Sequence, residues 1–204
     1  MEKYFFMKPL LALISQGQFF RKAFAIALQI LAAVIVIACL VSWIAVWKSI
    51  SGYSAEAIFG IIIFQLFFVI AVYMVVHTLL IRAGDINALP DADYTVIPIV
   101  SICLKLAGEI YACFVTVISI GGGIMMWFLE SNAIYLIKRS APLVPGFGGG
   151  EGFWGGLVFM FGGLFTALFV LVIFYFLAEA VVVMADTAKN IKITRKIAEQ
   201  YDRK

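Results

Sequence analysis

FWGGLVFMFGGLFTALFVLVIFYFLAEAVVVMADTAKNIKITRKIAEQYDRK, residues Phe153 to Lys204, carries no charged side chain before Glu179. An apolar run longer than about 20 residues is long enough to cross a bilayer as a helix. Neither proline nor glycine follows Gly163, so nothing in the local chemistry ends the helix at the lipid boundary. At about 1.5 Å per residue the 52 residues would reach about 78 Å, more than twice the hydrocarbon thickness. The stretch predicts one rod that spans the membrane from about 154 to 178 and continues as a basic helix over 185–204.

The remainder of the chain has the same character. Of its 204 residues 64% are hydrophobic and 13% charged, with a mean hydropathy of +1.08, which leaves too few polar side chains to cover a water-soluble globule. Lipid is the expected solvent. Upstream, Ala23–Trp47 is free of charge and carries Trp43 and Trp47 where an aromatic belt belongs. Ala57–Ile81 forms a second span, and the short link KSISGYSAE makes the two antiparallel neighbours. The polar stretch AGDINALPDADY then reads as a turn.

The third apolar region runs from Thr95 to Leu129 and contains Lys105 and Glu109. Ile110–Leu129 suffices as a span, leaving 95–109 as a turn or surface helix; one long tilted helix is the alternative. Lys105 and Glu109 are four apart and can pair on one helix face. The stretch Glu130–Gly152, with PLVPGFGGGEG inside it, reads as the longest extramembrane connection. Residues 1–22 have apolar Leu10, Leu11, Leu13 and Ile14 among Lys3, Lys8, Arg21 and Lys22, which predicts a retained helix on the membrane surface. The fold class is therefore all-α: an integral membrane four-helix bundle (spans near 23–47, 57–81, 110–129 and 154–178, within 23–184), with an N-terminal interfacial helix and a long C-terminal cytoplasmic extension.

Lysine and arginine fix the expected orientation. Lys3, Lys8, Arg21, Lys22, Arg82, Lys105, Lys189, Lys192, Arg195, Lys196, Arg203 and Lys204 fall on one side, against Lys48, Lys138 and Arg139 on the other. Such an excess marks the cytoplasmic side, so both termini are expected there, most simply in a bacterial inner membrane.

Several chemistries find no support in the residues. Cys39, Cys103 and Cys113 lie in apolar stretches without zinc-ligand spacing, and the chain has a single histidine. Gly148, Gly149, Gly150 and Gly152 lack the Lys-Ser/Thr pair of a phosphate loop. Asp91 and Asp93 form a DxD without room for a nucleotide domain around it. No metal, no cofactor and no nucleic-acid partner is expected.

Polar groups at membrane depth are the natural candidates for function. His77, Lys105, Glu109 and Glu179 fall near the cytoplasmic ends of spans, where snorkelling and pairing compete with a proton-relay role. Gln29 and Gln65 lie deeper and are read as hydrogen-bonding a neighbouring helix. Gly155 and Gly156 recur seven residues on as Gly162 and Gly163, a smooth stripe for close packing against the third span or a second copy. Beyond the bilayer, Lys189, Lys192, Arg195 and Lys196 make the extension basic and amphipathic, suited to anionic membrane lipids or a partner protein.

The leading expectation is a non-catalytic scaffold or anchor subunit that assembles with itself or a larger membrane complex. An oligomeric channel or small transporter, lined by Gln29, Gln65 or the Gly121–Gly123 bend, is the alternative. A membrane enzyme would have to be built from His77, Glu109 and Glu179.

Overall fold

The computed structural model describes residues 18–48, 50, 53–90, 96–129, 131–146 and 152–201. Five helices follow in order: α1 (Gln18–Lys48), α2 (Ala55–Asn87), α3 (Val96–Leu129), α4 (Ser131–Ser140) and α5 (Gly152–Tyr201). Among the described residues there is no strand, and α1, α2, α3 and α5 are each long and apolar enough to cross a membrane.

The helices pack side by side with α3 at the centre. It lies against α5 along one flank and α2 along the other, while α1 rests mainly on α2. Burial follows that order. Ile99, Val115, Ile118, Met125 and Met126 of α3 are almost fully enclosed, whereas α1 buries only Ala25, Leu28, Ala32 and Val46. The outward faces of α1 and α5 carry Ile30, Ile37, Val41, Phe161, Phe165 and Phe176, the reverse of a water-soluble protein's pattern.

Local chemistry accounts for the helix ends. Ser54, extended at φ −66° and ψ 161°, caps α2, its Oγ accepting from the Ala57 N–H at 3.3 Å. Pro98 sits in the first turn of α3, where its missing N–H has no helical partner to lose. Gly152 opens α5 at φ +68°, a left-handed conformation that side chains disfavour.

Three boundaries differ from the sequence reading. Residues 18–22 of the expected surface segment belong to α1, and residues 1–17 lie outside the described residues. The turn expected after Arg82 starts later, because α2 continues to Asn87. Its last turn is held by an Arg82–Asp85 ion pair at 2.9 Å and by Ala83 and Ile86, buried with Ile99 and Leu106. Asp91 and Asp93 lie outside the described residues. The third region takes the longer of its two forms, an unbroken helix from Val96 to Leu129.

The stretch 130–152 holds a helix that the sequence reading did not expect. Its described part forms α4 and a following turn that fold back along the bundle. Ile137 Cδ1 comes within 2.9 Å of the place a Cβ would take on Gly122, seven residues before the end of α3. Leu136, Ile137, Ala141 and Val144 are buried in the same cluster as Phe64, Val115 and Ile118. The reason is a short apolar stripe at helical spacing, well under span length and hidden by the prolines and glycines after it.

Candidate functional site

Polar chemistry in the helices gathers at the end of the bundle where α2 finishes and α5 runs on. The Glu109 carboxylate on α3 accepts from Arg82 Nε on α2 at 2.8 Å and from a second guanidinium nitrogen. It also accepts from the Tyr175 hydroxyl on α5 at 2.6 Å. Arg82 in turn reaches Asp85. Lys105 Nζ sits 5.4 Å from the centre of the Tyr175 ring, a cation over an aromatic face. One carboxylate thus ties three helices together, with every charge answered.

This node absorbs Lys105 and Glu109 but not their expected mutual pairing. Arg82 and Tyr175 were missed. Their signal was present in register: antiparallel α2 and α3 must place the residue closing one span beside the residue opening the next. His77 stands apart, exposed on α2 and stacked on Tyr73 at 5.7 Å between ring centres. Glu179 is exposed on α5, one turn past Tyr175. Neither hydrogen-bonds to Glu109, whose partners are Arg82 and Tyr175.

The glutamines diverge. Gln29 is exposed on α1, whereas Gln65 is 4% exposed on α2 and its Oε1 has no hydrogen-bond partner. The bend glycines are filled from outside α3: Gly121 by Phe67, Gly122 by Phe159 and Ile137, Gly123 by Met160. Within one chain these residues therefore do not line a common path.

The glycine stripe of α5 faces α3 of the same chain. A Cβ on Gly156 would meet Trp127 Nε1 at 2.4 Å and the Gly123 carbonyl at 2.5 Å, and one on Gly163 would meet Ser119 Oγ at 1.8 Å. Gly155 is buried beside Gly156, and Gly162 is half-buried, its carbonyl accepting from Thr166 at 2.8 Å. Backbone contact this close is available only where both helices present glycine or serine. The ends are tied as well: Trp127 Nε1 donates to the Phe153 carbonyl at 3.2 Å, and Ser101 Oγ donates to the Ala178 carbonyl at 3.3 Å.

Past Ala178, α5 leaves its neighbours and becomes exposed. Val183, Met184, Ile191, Ile197 and Tyr201 point outward, together with Lys189, Lys192 and Arg195, whose Nε bonds Glu199 at 2.9 Å. The side chain of Lys196 lies outside the described residues. Among the described residues no cluster of His, Cys, Asp and Glu has the geometry to hold a metal ion.

Compared with known proteins, the chain matches no family model, no curated protein and no solved structure.

Proposed function

We propose that this chain is a non-catalytic integral membrane subunit, a scaffold or anchor with four crossings and both termini in the cytoplasm of a bacterial inner membrane. The observation that carries the reading is the projection of α5. From Ala178 to Tyr201 it continues as one helix with its side chains largely uncovered. At about 1.5 Å per residue that is about 35 Å of rod beyond the last buried contact. Large apolar side chains left bare on a basic helix are a docking surface, because water disfavours them and a partner's apolar face does not.

The bundle supports the same role. Its glycine and serine contacts and the three-helix Glu109 node suit a rigid base more than a moving part. Arg82 and Lys105 cluster at the end from which α5 projects, while Lys48 closes α1 at the opposite end, the asymmetry that sets cytoplasmic orientation.

Truncation after Met184 tests the proposal. The shortened chain is expected to insert and purify as the full chain does, while proteins recovered with the full chain in mild detergent are lost. Unchanged recovery overturns the docking role.

A further inference from the structure

We propose that Lys138 and Arg139, on the folded-back α4, bind the phosphate of one anionic phospholipid, with an acyl chain lying in the cleft below them. The inference goes beyond the anchor reading and rests on its four-crossing topology.

Depth comes first. Trp43, Trp47, Trp127 and Trp154 all stand at the end of the bundle where α3 meets α5, the position of an interfacial aromatic belt. Ile137 packs on Gly122, five residues before Trp127, so it lies about 7 Å beneath the belt along α3. Lys138 and Arg139 follow it, on a helix that continues away from the belt. The backbone carrying the two cations is thus set about one side-chain length beneath the headgroups, so each charge must reach up to find a lipid phosphate.

Neither has a partner among the described residues. Tyr135, Lys138 and Arg139 are exposed on the face of α4 opposite buried Leu136 and Ile137. No ion pair among the described residues involves either cation, and α1 contains no acid. Lys138 lies along Gly146, its Cε 3.1 Å from the place a Cβ would take there.

A cleft of about 330 Å³ opens below, lined by Ile35, Val75, Ile110, Tyr111, Phe114 and Leu143. Leu143, which lines the cleft, lies five residues after Lys138, so the cations stand on the same segment that walls the cleft. An arginine and a lysine above an apolar slot between helices match a phosphodiester with its acyl tail. A protein carboxylate would answer the charges but leave the slot empty.

Native mass spectrometry of the full chain is the test, comparing phosphatidylglycerol with phosphatidylcholine of the same acyl chains. One phosphatidylglycerol is expected to stay bound per chain, and K138Q/R139Q to weaken it about thirtyfold. L143W, which fills the slot and keeps both charges, is expected to expel it too. K189Q/K192Q, which alters only the α5 extension, should leave it in place. Equal retention of the two lipids, or full retention by K138Q/R139Q, overturns the proposal. Displacement by millimolar inorganic phosphate would assign the cations to a soluble anion and also overturn it, as would loss of a bound acidic protein in place of lipid. Labelling of the termini from outside would overturn the topology separately, since lipid retention is read in detergent.

Discussion

Arg82 on α2 and Glu109 on α3 meet through two guanidinium hydrogen bonds, one of them at 2.8 Å from Nε, with only 24% and 16% of their side chains exposed. Breaking such a pair from one side leaves the other charge half-buried and alone, which costs more than the pair is worth. Glu109→Leu is expected to destabilise the detergent-solubilised bundle by about 2 kcal/mol. The double change R82M/E109L should recover at least half of that loss. Simple addition of the two single losses in thermal melts would show that the residues act separately.

The contact between α3 and α5 is tested at its tightest point. A methyl on Gly163 would come within 1.8 Å of Ser119 Oγ and 2.3 Å of its Cβ, so G163A must push the helices apart. Overpacking of this kind costs about 1–3 kcal/mol, and S119G in the same chain should return part of it. Gly84, also helical, has nothing within 4 Å of its missing Cβ. G84A is therefore expected to hold or raise stability by up to about 1 kcal/mol. If both alanines lowered the melting temperature alike, the close approach of α3 and α5 would be wrong.

Much of this architecture was legible because helices long and apolar enough to cross a membrane leave a coarse signal in the sequence. Runs such as Ala23–Trp47 and Phe153–Ala178 announce helices by length and lack of charge alone, and α5 continues through Glu179 as the missing breakers require. What the runs do not encode is which faces meet. Gly156 and Gly163 were visible as a stripe, yet the sequence left open whether α3 or a second copy would cover it; the complement is Gly123 and Ser119, residues that no periodicity pairs with them. Tyr175 looked like one more aromatic in a span, and its hydroxyl acquires meaning only beside Glu109. α4 stayed hidden because its buried Leu136 and Ile137 sit in a stripe of ten residues, and a span-length window averages them with the prolines and glycines that follow.

Gln65 offers a third prediction. Its carbonyl oxygen is buried without a hydrogen-bond partner, and its neighbours Phe64 and Phe68 belong to the core. An amide enclosed in that way contributes desolvation cost without full return, whereas leucine has nearly the same length and no polar atom. Q65L should hold stability or raise it by about 1 kcal/mol in thermal melts. A loss of several kcal/mol would mean that the amide is paired in the membrane, as the sequence reading expected.

The folding back of α4 makes the last prediction, because it reverses where residues after Ser140 should be found. As part of an external connection, Leu143 would face water and react freely with a membrane-impermeant maleimide once replaced by cysteine. In the structure it shares a cleft with Ile35, Ile110 and Phe114, and Phe114 lies fifteen residues before the end of α3, about 22 Å along the helix. With Cys39, Cys103 and Cys113 changed to alanine, L143C is expected to resist the reagent in intact membranes, and K48C, exposed at the end of α1, to react readily. A nitroxide attached at the same position should be relaxed by oxygen more than by a water-soluble nickel chelate, as for a site among acyl chains. Backbone at such depth is tolerated where protein covers its polar groups, and buried Ala141 and Val144 on either side of Leu143 meet that condition. Rapid labelling of L143C at the rate of K48C would return the segment to the aqueous side and remove the depth on which the lipid site depends.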